Sequence, residues 1–159
     1  MNTVYLLLGS NIGDSEQKLS VAIDMIENNI GKITKCSSIY RTAAWGNEDQ
    51  SDFLNQIVVT ASSLPAAAIL EQIFAIEKEM GRVRTTKYAA RVIDIDILFF
   101  NEEIIKAKNL IIPHTQIQNR RFVLIPLAEV APLFKHPLLK KTAQELLLMC
   151  PDKLNVQKN

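Results

Sequence analysis

Arg91-Val-Ile-Asp-Ile-Asp-Ile-Leu-Phe-Phe100 is too apolar and too rich in β-branched residues to be anything but a buried strand, yet it carries two carboxylates, Asp94 and Asp96. Side chains alternate across a strand. Both aspartates therefore share one face while Ile93, Ile95 and Ile97 share the other, with the aspartate Cβ atoms roughly 6.5 to 7 Å apart. At a separation of about 5 Å and an effective dielectric near 20, two carboxylates repel by roughly 3 kcal/mol, against under about 1 in open water. A cation between them relieves that cost. The plainer alternative is a strand with one solvated face.

The residues ahead of the strand favour the cation. From Gly81 to Arg91 the chain carries Arg82, Arg84, Lys87 and Arg91 without one acid, although the whole sequence is nearly neutral, with 18 Lys plus Arg against 17 Asp plus Glu. The positive charge is thus local. A run like this is also what a solvated loop carries, but here it leads directly into two carboxylates. Mg²⁺ commonly takes one or two protein carboxylates and completes its shell with water and phosphate oxygens, and arginines grip the same phosphates in bidentate fashion. Arginines followed by an Asp-x-Asp strand point to polyphosphate chemistry.

The chain of 159 residues is long enough to bury a core of its own, and we expect one domain spanning residues 1–159. No internal repeat or Gly/Ser linker interrupts it. No apolar run approaches the 18 or so residues that cross a membrane, and the N-terminus lacks signal-peptide features, so a cytoplasmic protein is expected. Cys36 and Cys150 are far apart with no C-x-x-C spacing, which favours free buried thiols over a disulfide or a zinc site.

Hydrophobic spacing outlines the remaining elements. Thr3 to Leu8 is a short β-rich run, followed by the turn-forming Gly9-Ser-Asn-Ile-Gly-Asp14, which also suits a helix cap. Leu19, Ala22, Ile23 and Ile26 mark a helix, with Gly31 placed as a left-handed C-terminal cap. Lys32 to Thr42 reads as a second strand, Ala43 to Asp52 as a loop, and Phe53 to Thr60 as a third strand. Pro65 fits the first turn of a second helix carrying Ile69, Leu70, Ile73, Ile76 and Met80, stopped by Gly81. The Asp-x-Asp strand is the fourth.

The order β-α-β-β-α-β is the ferredoxin-like α/β (α+β) arrangement, an antiparallel sheet with both helices on one face and the other face available for a ligand. C-terminal additions follow as a short hairpin or edge pair in Asn101 to Ile112, a helix from Arg120 to Val130 and another from Thr142 to Cys150. Pro126 makes the extent of the first of these helices the least defined. These additions can wall a cleft.

In order and spacing, several motifs together resemble the 6-hydroxymethyl-7,8-dihydropterin pyrophosphokinase family: Leu8-Gly-Ser-Asn11, Ser38-Ile-Tyr-Arg-Thr42, Phe53-Leu-Asn55, Glu77 with Gly81-Arg-Val-Arg84, Arg91 with Asp94-Ile-Asp96, Pro113-His114, Asn119-Arg120, and Phe122 with Pro126-Leu127. The resemblance implies a folate-biosynthesis transferase of ferredoxin-like fold that moves pyrophosphate from ATP to the hydroxymethyl group of the dihydropterin, releasing AMP, with two Mg²⁺ ions. It implies that Asp94 and Asp96 hold the metal and that Arg82 and Arg91 are catalytic, with Arg84 and Lys87 on a loop that closes over the nucleotide. Gly9, Thr42, Phe53, Asn55 and Phe122 match pterin-contacting positions. Leu70, Glu77, Ile97, Leu110, His114, Thr115 and Arg120 match nucleotide-contacting ones. His136 matches no motif and is expected at the surface. A monomer acting on small molecules, with no nucleic-acid or membrane partner, is expected.

The chain departs from the family pattern in places. Ala43-Ala44 stands where two prolines are common, and Trp45, where a smaller apolar residue is usual, packs on the pterin or on its own loop. Lys87-Tyr88 replaces a more arginine-rich segment, keeping a charge but losing bidentate geometry. Thr115 is smaller than the residue common there. On physics alone a two-metal nucleotidyltransferase or cyclase-like palm is an alternative, since it also sets paired aspartates on such a sheet. An RNA-binding module on the same fold would display aromatics on its central strands, where this chain shows aspartates.

Overall fold

Asn2–Ser10, apolar through most of its length, forms the central strand β1, and the computed structural model describes residues 1–43, 52–82 and 92–159 around it. In chain order the elements are β1, α1 (Ser15–Asn29), β2 (Lys32–Cys36), β3 (Tyr40–Thr42), β4 (Phe53–Ser62), α2 (Ala66–Glu79), β5 (Asp94–Phe100), β6 (Ile105–Ala107), β7 (Leu110–Ile112), α3 (Arg121–Val130), α4 (Ala143–Met149) and β8 (Val156–Lys158). The main sheet runs β5-β1-β4-β3-β8, with β2 also on β4, and every pairing is antiparallel. This is the expected ferredoxin-like fold. The β6–β7 hairpin stands apart.

The strand alternation sorts the core into two layers. Val4, Leu6 and Leu8 of β1 and Ile93, Ile95 and Ile97 at β5 pack against Leu19, Ala22 and Ile26 of α1 and Ile69, Ile73 and Ile76 of α2. On the opposite face Tyr5, Leu7, Ile57, Val59 and Phe99 pack against Val123, Leu124 and Leu127 of α3 and Leu146 of α4. This is the face the sequence left available for a ligand, with the C-terminal additions as its walls. The added helices cover one half of it, and the half nearer the end of β1 carries the polar residues.

Local chemistry explains the boundaries. Asp14 caps α1 by accepting from the Gln17 amide at 3.1 Å, and Thr142 and Glu145 form a reciprocal capping box on α4. Gly81 closes α2 with φ +90°, as anticipated, while Pro65 is the N-cap of α2 and not its first helical residue. Gly31 plays a different part from the one expected. Its φ is not positive, and a Cβ there would lie 2.1 Å from the Ala61 carbonyl oxygen, so close packing on β4 requires glycine. Helix α3 runs through Pro126.

The predicted second strand is two strands. Cys36 pairs with Val58 but Tyr40 with Asn55, so one extra residue bulges out between them. Ser37 fills the gap: its amide donates to Ile57 O and its Oγ accepts from Ile57 N at 2.9 Å. Gly9 and Ser10 belong to β1, so the turn starts later than expected. His136 is buried, not superficial: its Nδ1 accepts from the Leu138 and Leu139 amides and its ring meets Phe99 edge-on. Cys36 is exposed, contrary to expectation, and Cys150 is a buried free thiol. The C-terminal strand β8 was not anticipated. Among the described residues no helix is long and apolar enough to cross a membrane.

Candidate active site

Strand register places the chemistry. Gly9 of β1 pairs with Asp94 of β5 on one side and with Asn55 of β4 on the other, and Asn55 pairs with Tyr40 of β3. Asp94, Gly9, Asn55 and Tyr40 thus form one row across the sheet. Asp96 stands in the next row beside Leu7, and Phe53 and Thr42 pair in the row beyond Asn55. Directly opposed residues in an antiparallel pair share a face, so these side chains lie on the face opposite α1 and α2. Ser10 Oγ fixes the corner by donating to Val92 O at 2.6 Å.

Charges converge from α2 and the segment around β7. Arg82, just past α2, places Nη1 2.6 Å from Glu77 Oε2 and 2.6 Å from Asp94 Oδ1. Glu77 is almost wholly buried, and the same oxygen accepts the Ile95 amide at 2.9 Å. Strand β5 is the edge strand, and the Ile95 amide, bonded to Glu77, faces outward from β1. Burial tends to lower the Arg82 pKa, but Asp94 and Glu77 outweigh it and the guanidinium is held more firmly charged than usual. Asp96 is pushed up to about 7, first by burial and then by Asp94 and Glu77, with Arg120 and Arg82 opposing. It still keeps some contact with solvent.

His114 follows Pro113, and its amide donates to Leu98 O. Its Nδ1 accepts from the Gln116 amide at 3.2 Å, so the neutral ring carries its proton on Nε2. Burial and then Arg120 lower its pKa, against a smaller pull from Asp94. Arg120 precedes α3, with its guanidinium carbon 5.9 Å from the Phe122 ring centre. Thr42 and Asn55 are buried, Asn55 Nδ2 donates to Leu8 O at 3.4 Å, and Phe53 and Phe122 are half-buried. Helix α3 is tied to the sheet by Glu129, which accepts from Tyr40 Oη at 2.7 Å and from Ser38.

Leu70 of α2 and Leu110 of β7 line one cavity of about 610 Å³, together with Phe74, Phe100 and Ile105. Ile97 is not part of that lining, because its side chain turns into the core between sheet and helices. Thr115 is exposed. Trp45, Arg84, Lys87, Tyr88 and Arg91 lie outside the described residues. Phe74 escaped the sequence reading, although its spacing of four from Leu70 was the available signal. Glu77 was noted as a ligand contact, but its tie to the Ile95 amide was not foreseeable.

The donor set suits a hard cation with few protein ligands. Among the described residues no three or more of His, Cys, Asp and Glu group as a metal cage. Two carboxylates on one face, one paired with a guanidinium that it shares with Glu77 and the other raised in pKa by burial, suit the sparse coordination of Mg²⁺ by protein and phosphate together.

A family model described as 7,8-dihydro-6-hydroxymethylpterin-pyrophosphokinase (HPPK) matches residues 5–132. A 2-amino-4-hydroxy-6-hydroxymethyldihydropteridine pyrophosphokinase of Aquifex aeolicus is 41% identical over 145 residues, covering 91% of this chain and 90% of its own. The protein of the same name from Bacillus subtilis is 45% identical over 130 residues, covering 81% and 78%. The crystal structure of Plasmodium falciparum HPPK-DHPS wild type with SDX-DHP superposes with a TM-score of 0.76 at 22% identity. The match covers 94% of this chain but only 43% of that one, and it speaks to the fold.

Proposed function

The chain belongs to the 7,8-dihydro-6-hydroxymethylpterin-pyrophosphokinase family, and from that premise we propose that it transfers pyrophosphate from ATP to 6-hydroxymethyl-7,8-dihydropterin, giving the pterin diphosphate and AMP in folate biosynthesis. The observation that carries the reading is the row Asp94–Gly9–Asn55 on one sheet face, whose two ends this reading assigns to phosphate and to ring. Strands lie about 4.8 Å apart, so Asn55 and Asp94 are roughly 10 Å from each other, room for a pterin ring and its exocyclic carbon.

In this reading Asn55 offers its amide to the guanidine-like edge of the pterin, with Thr42 and Gly9 lining the pocket and Phe53, Phe122 and Trp45 supplying the apolar surfaces. The base of ATP lies along the outer edge of β5, in the cavity between Leu70 and Leu110. Ile97 contributes backbone groups there, not its side chain. Leu70 and Glu77 are seven residues apart on α2, about 10 Å along the helix, which suits the distance from base to polyphosphate. His114 through Nε2, Arg120, Thr115, Arg84 and Lys87 serve the phosphates and ribose.

Asp94 and Asp96 would hold Mg²⁺, two ions being expected, which when bound neutralises and orients the triphosphate. Arg82 and Arg91 stabilise charge on the transferring group. The pterin hydroxymethyl oxygen forms a bond to the β-phosphorus as the bond from that phosphorus to the α-bridging oxygen breaks, AMP departs, and the hydroxyl proton passes to solvent. The reaction requires no strong base if the transition state is loose. The protein works as one domain, a cytoplasmic monomer. Family membership displaces the palm and RNA-binding alternatives.

Nucleotide products from a reaction with ATP, Mg²⁺ and the hydroxymethyl-dihydropterin test this directly. AMP should form in step with pterin consumption and Asp96→Ala should abolish turnover; ADP in its place, or near-normal turnover of that variant, overturns the reading.

A further inference from the structure

A guanidinium already occupies the carboxylate that a divalent ion would use. Arg82 Nη1 is shared between Glu77 and Asp94 at 2.6 Å each. No other hydrogen bond of that guanidinium is made to a described residue. The two partners differ in how they are held. Glu77 has 3% of its side chain exposed and is pinned by the Ile95 amide, whereas Asp94 has 23% exposed and faces the cleft. The inner contact is built into the fold and the outer one is accessible to solutes.

We propose that Arg82 is a resident counter-ion of Asp94 and exchanges off it when a divalent cation takes that carboxylate, while Glu77 retains the guanidinium beside the site as a positioning residue. This rests on the reading of Asp94 and Asp96 as the divalent-ion holders. A dication attracts a carboxylate about twice as strongly as a guanidinium at equal distance, so the exchange runs in the direction of loading. Glu77 meanwhile neutralises Arg82 from the protein side. The arginine released from Asp94 stays within a side chain's reach of the phosphates that arrive with the ion, and its ordering cost has already been met. The device also separates two duties that sequence assigns to one charge cluster: Asp94 binds the cation, and Glu77 keeps the arginine in place.

The test follows the Arg82 side-chain Nε–Hε signal by NMR in the full-length, nucleotide-free protein during titration with MgCl₂, against NaCl at matched ionic strength. The Arg82 signal should shift in parallel with the Asp94 and Asp96 backbone amides and stay that of an ordered side chain. In Glu77→Gln, Mg²⁺ should release it to the averaged signal of a mobile arginine. Calorimetry with Mn²⁺ alone should show Arg82→Met binding at least about tenfold more tightly than wild type. Amide shifts at Asp94 and Asp96 with an unmoved Arg82 signal would overturn the exchange while leaving the ion site standing. Absence of any Mg²⁺-dependent shift would remove both. An Arg82→Met protein that binds Mn²⁺ no more tightly also refutes the exchange, and the wild-type titration decides the matter if that variant does not fold.

Discussion

Gly9 and Asn55 face each other across β1 and β4 so closely that a Cβ on Gly9 would lie 2.8 Å from Asn55 Nδ2. The atom it would strike is the end of a side chain that can rotate. The fold should therefore survive a methyl group here while the amide loses its position. In Gly9→Ala the KM for the pterin should rise by about tenfold, the worth of one well-placed hydrogen bond, with little change in the KM for ATP. Steady-state kinetics with each substrate varied in turn check this, and an unchanged pterin KM would remove Asn55 from the pocket.

Asp96 gives a pH dependence of definite sign. Its proton leaves near pH 3.8 in an unfolded chain and near 7 in the folded one, so between those values the folded state holds the extra proton and stability falls as pH rises. Asp96→Asn, which has no charge to bury, should melt several degrees above wild type at pH 8 and show no such gain near pH 4. Calorimetric melting across that range without divalent ions supplies the comparison. A gain that is the same at both ends would contradict the proposed burial.

Phe74 shares the cavity of Leu70 and Leu110 but lies apart from the ring-contact row. Removing an aromatic wall should weaken the nucleotide alone. For Phe74→Ala we expect the KM for ATP to rise by roughly three- to tenfold, equivalent to one partly buried side chain, with the pterin KM within error. Equal losses for both substrates would place the base elsewhere.

Gly31→Ala would drive a methyl group against the Ala61 carbonyl, which is backbone and cannot swing aside. Overpacking of this kind costs about 1–3 kcal/mol, or very roughly 2–12 °C in melting temperature for a chain of this length. Both KM values should remain those of wild type, since Gly31 lies at the far end of β4 from Asn55. Differential scanning fluorimetry beside a kinetic assay distinguishes this loss from the one at Gly9.

The legible parts of the sequence were those governed by local periodicity. The Asp-x-Asp strand, both core helices and the shared aspartate face follow from alternation and from the 3.6-residue repeat, and the structure reproduces them. What escaped depended on distant partners. Gly31 signals a cap in sequence because the same residue serves a cap or a close approach, and only the position of Ala61 decides between them. Ser37 breaks the second strand through a bond to Ile57, 20 residues away. His136 is buried because Phe99 and its own turn receive it, which no motif announces. The Glu77 tie to Ile95 is of the same kind, a pairing across 18 residues set by the angle between α2 and β5.

Strand β8 decides which backbone lies at the border of the sheet. Lys158, Gln157 and Val156 pair with Tyr40, Arg41 and Thr42, and Asn159 clasps Arg41 through its side-chain oxygen and Glu16 through its amide. Without these four residues β3 would present a row of unpaired amides and carbonyls at the border of the sheet, the template on which separate molecules zip together. Strand β8 thus takes over that border of the sheet, and it covers the backbone of the strand that carries Thr42. Removal of Val156 to Asn159 would bare the β3 backbone beside Thr42 while leaving every residue of the proposed catalytic face in the chain.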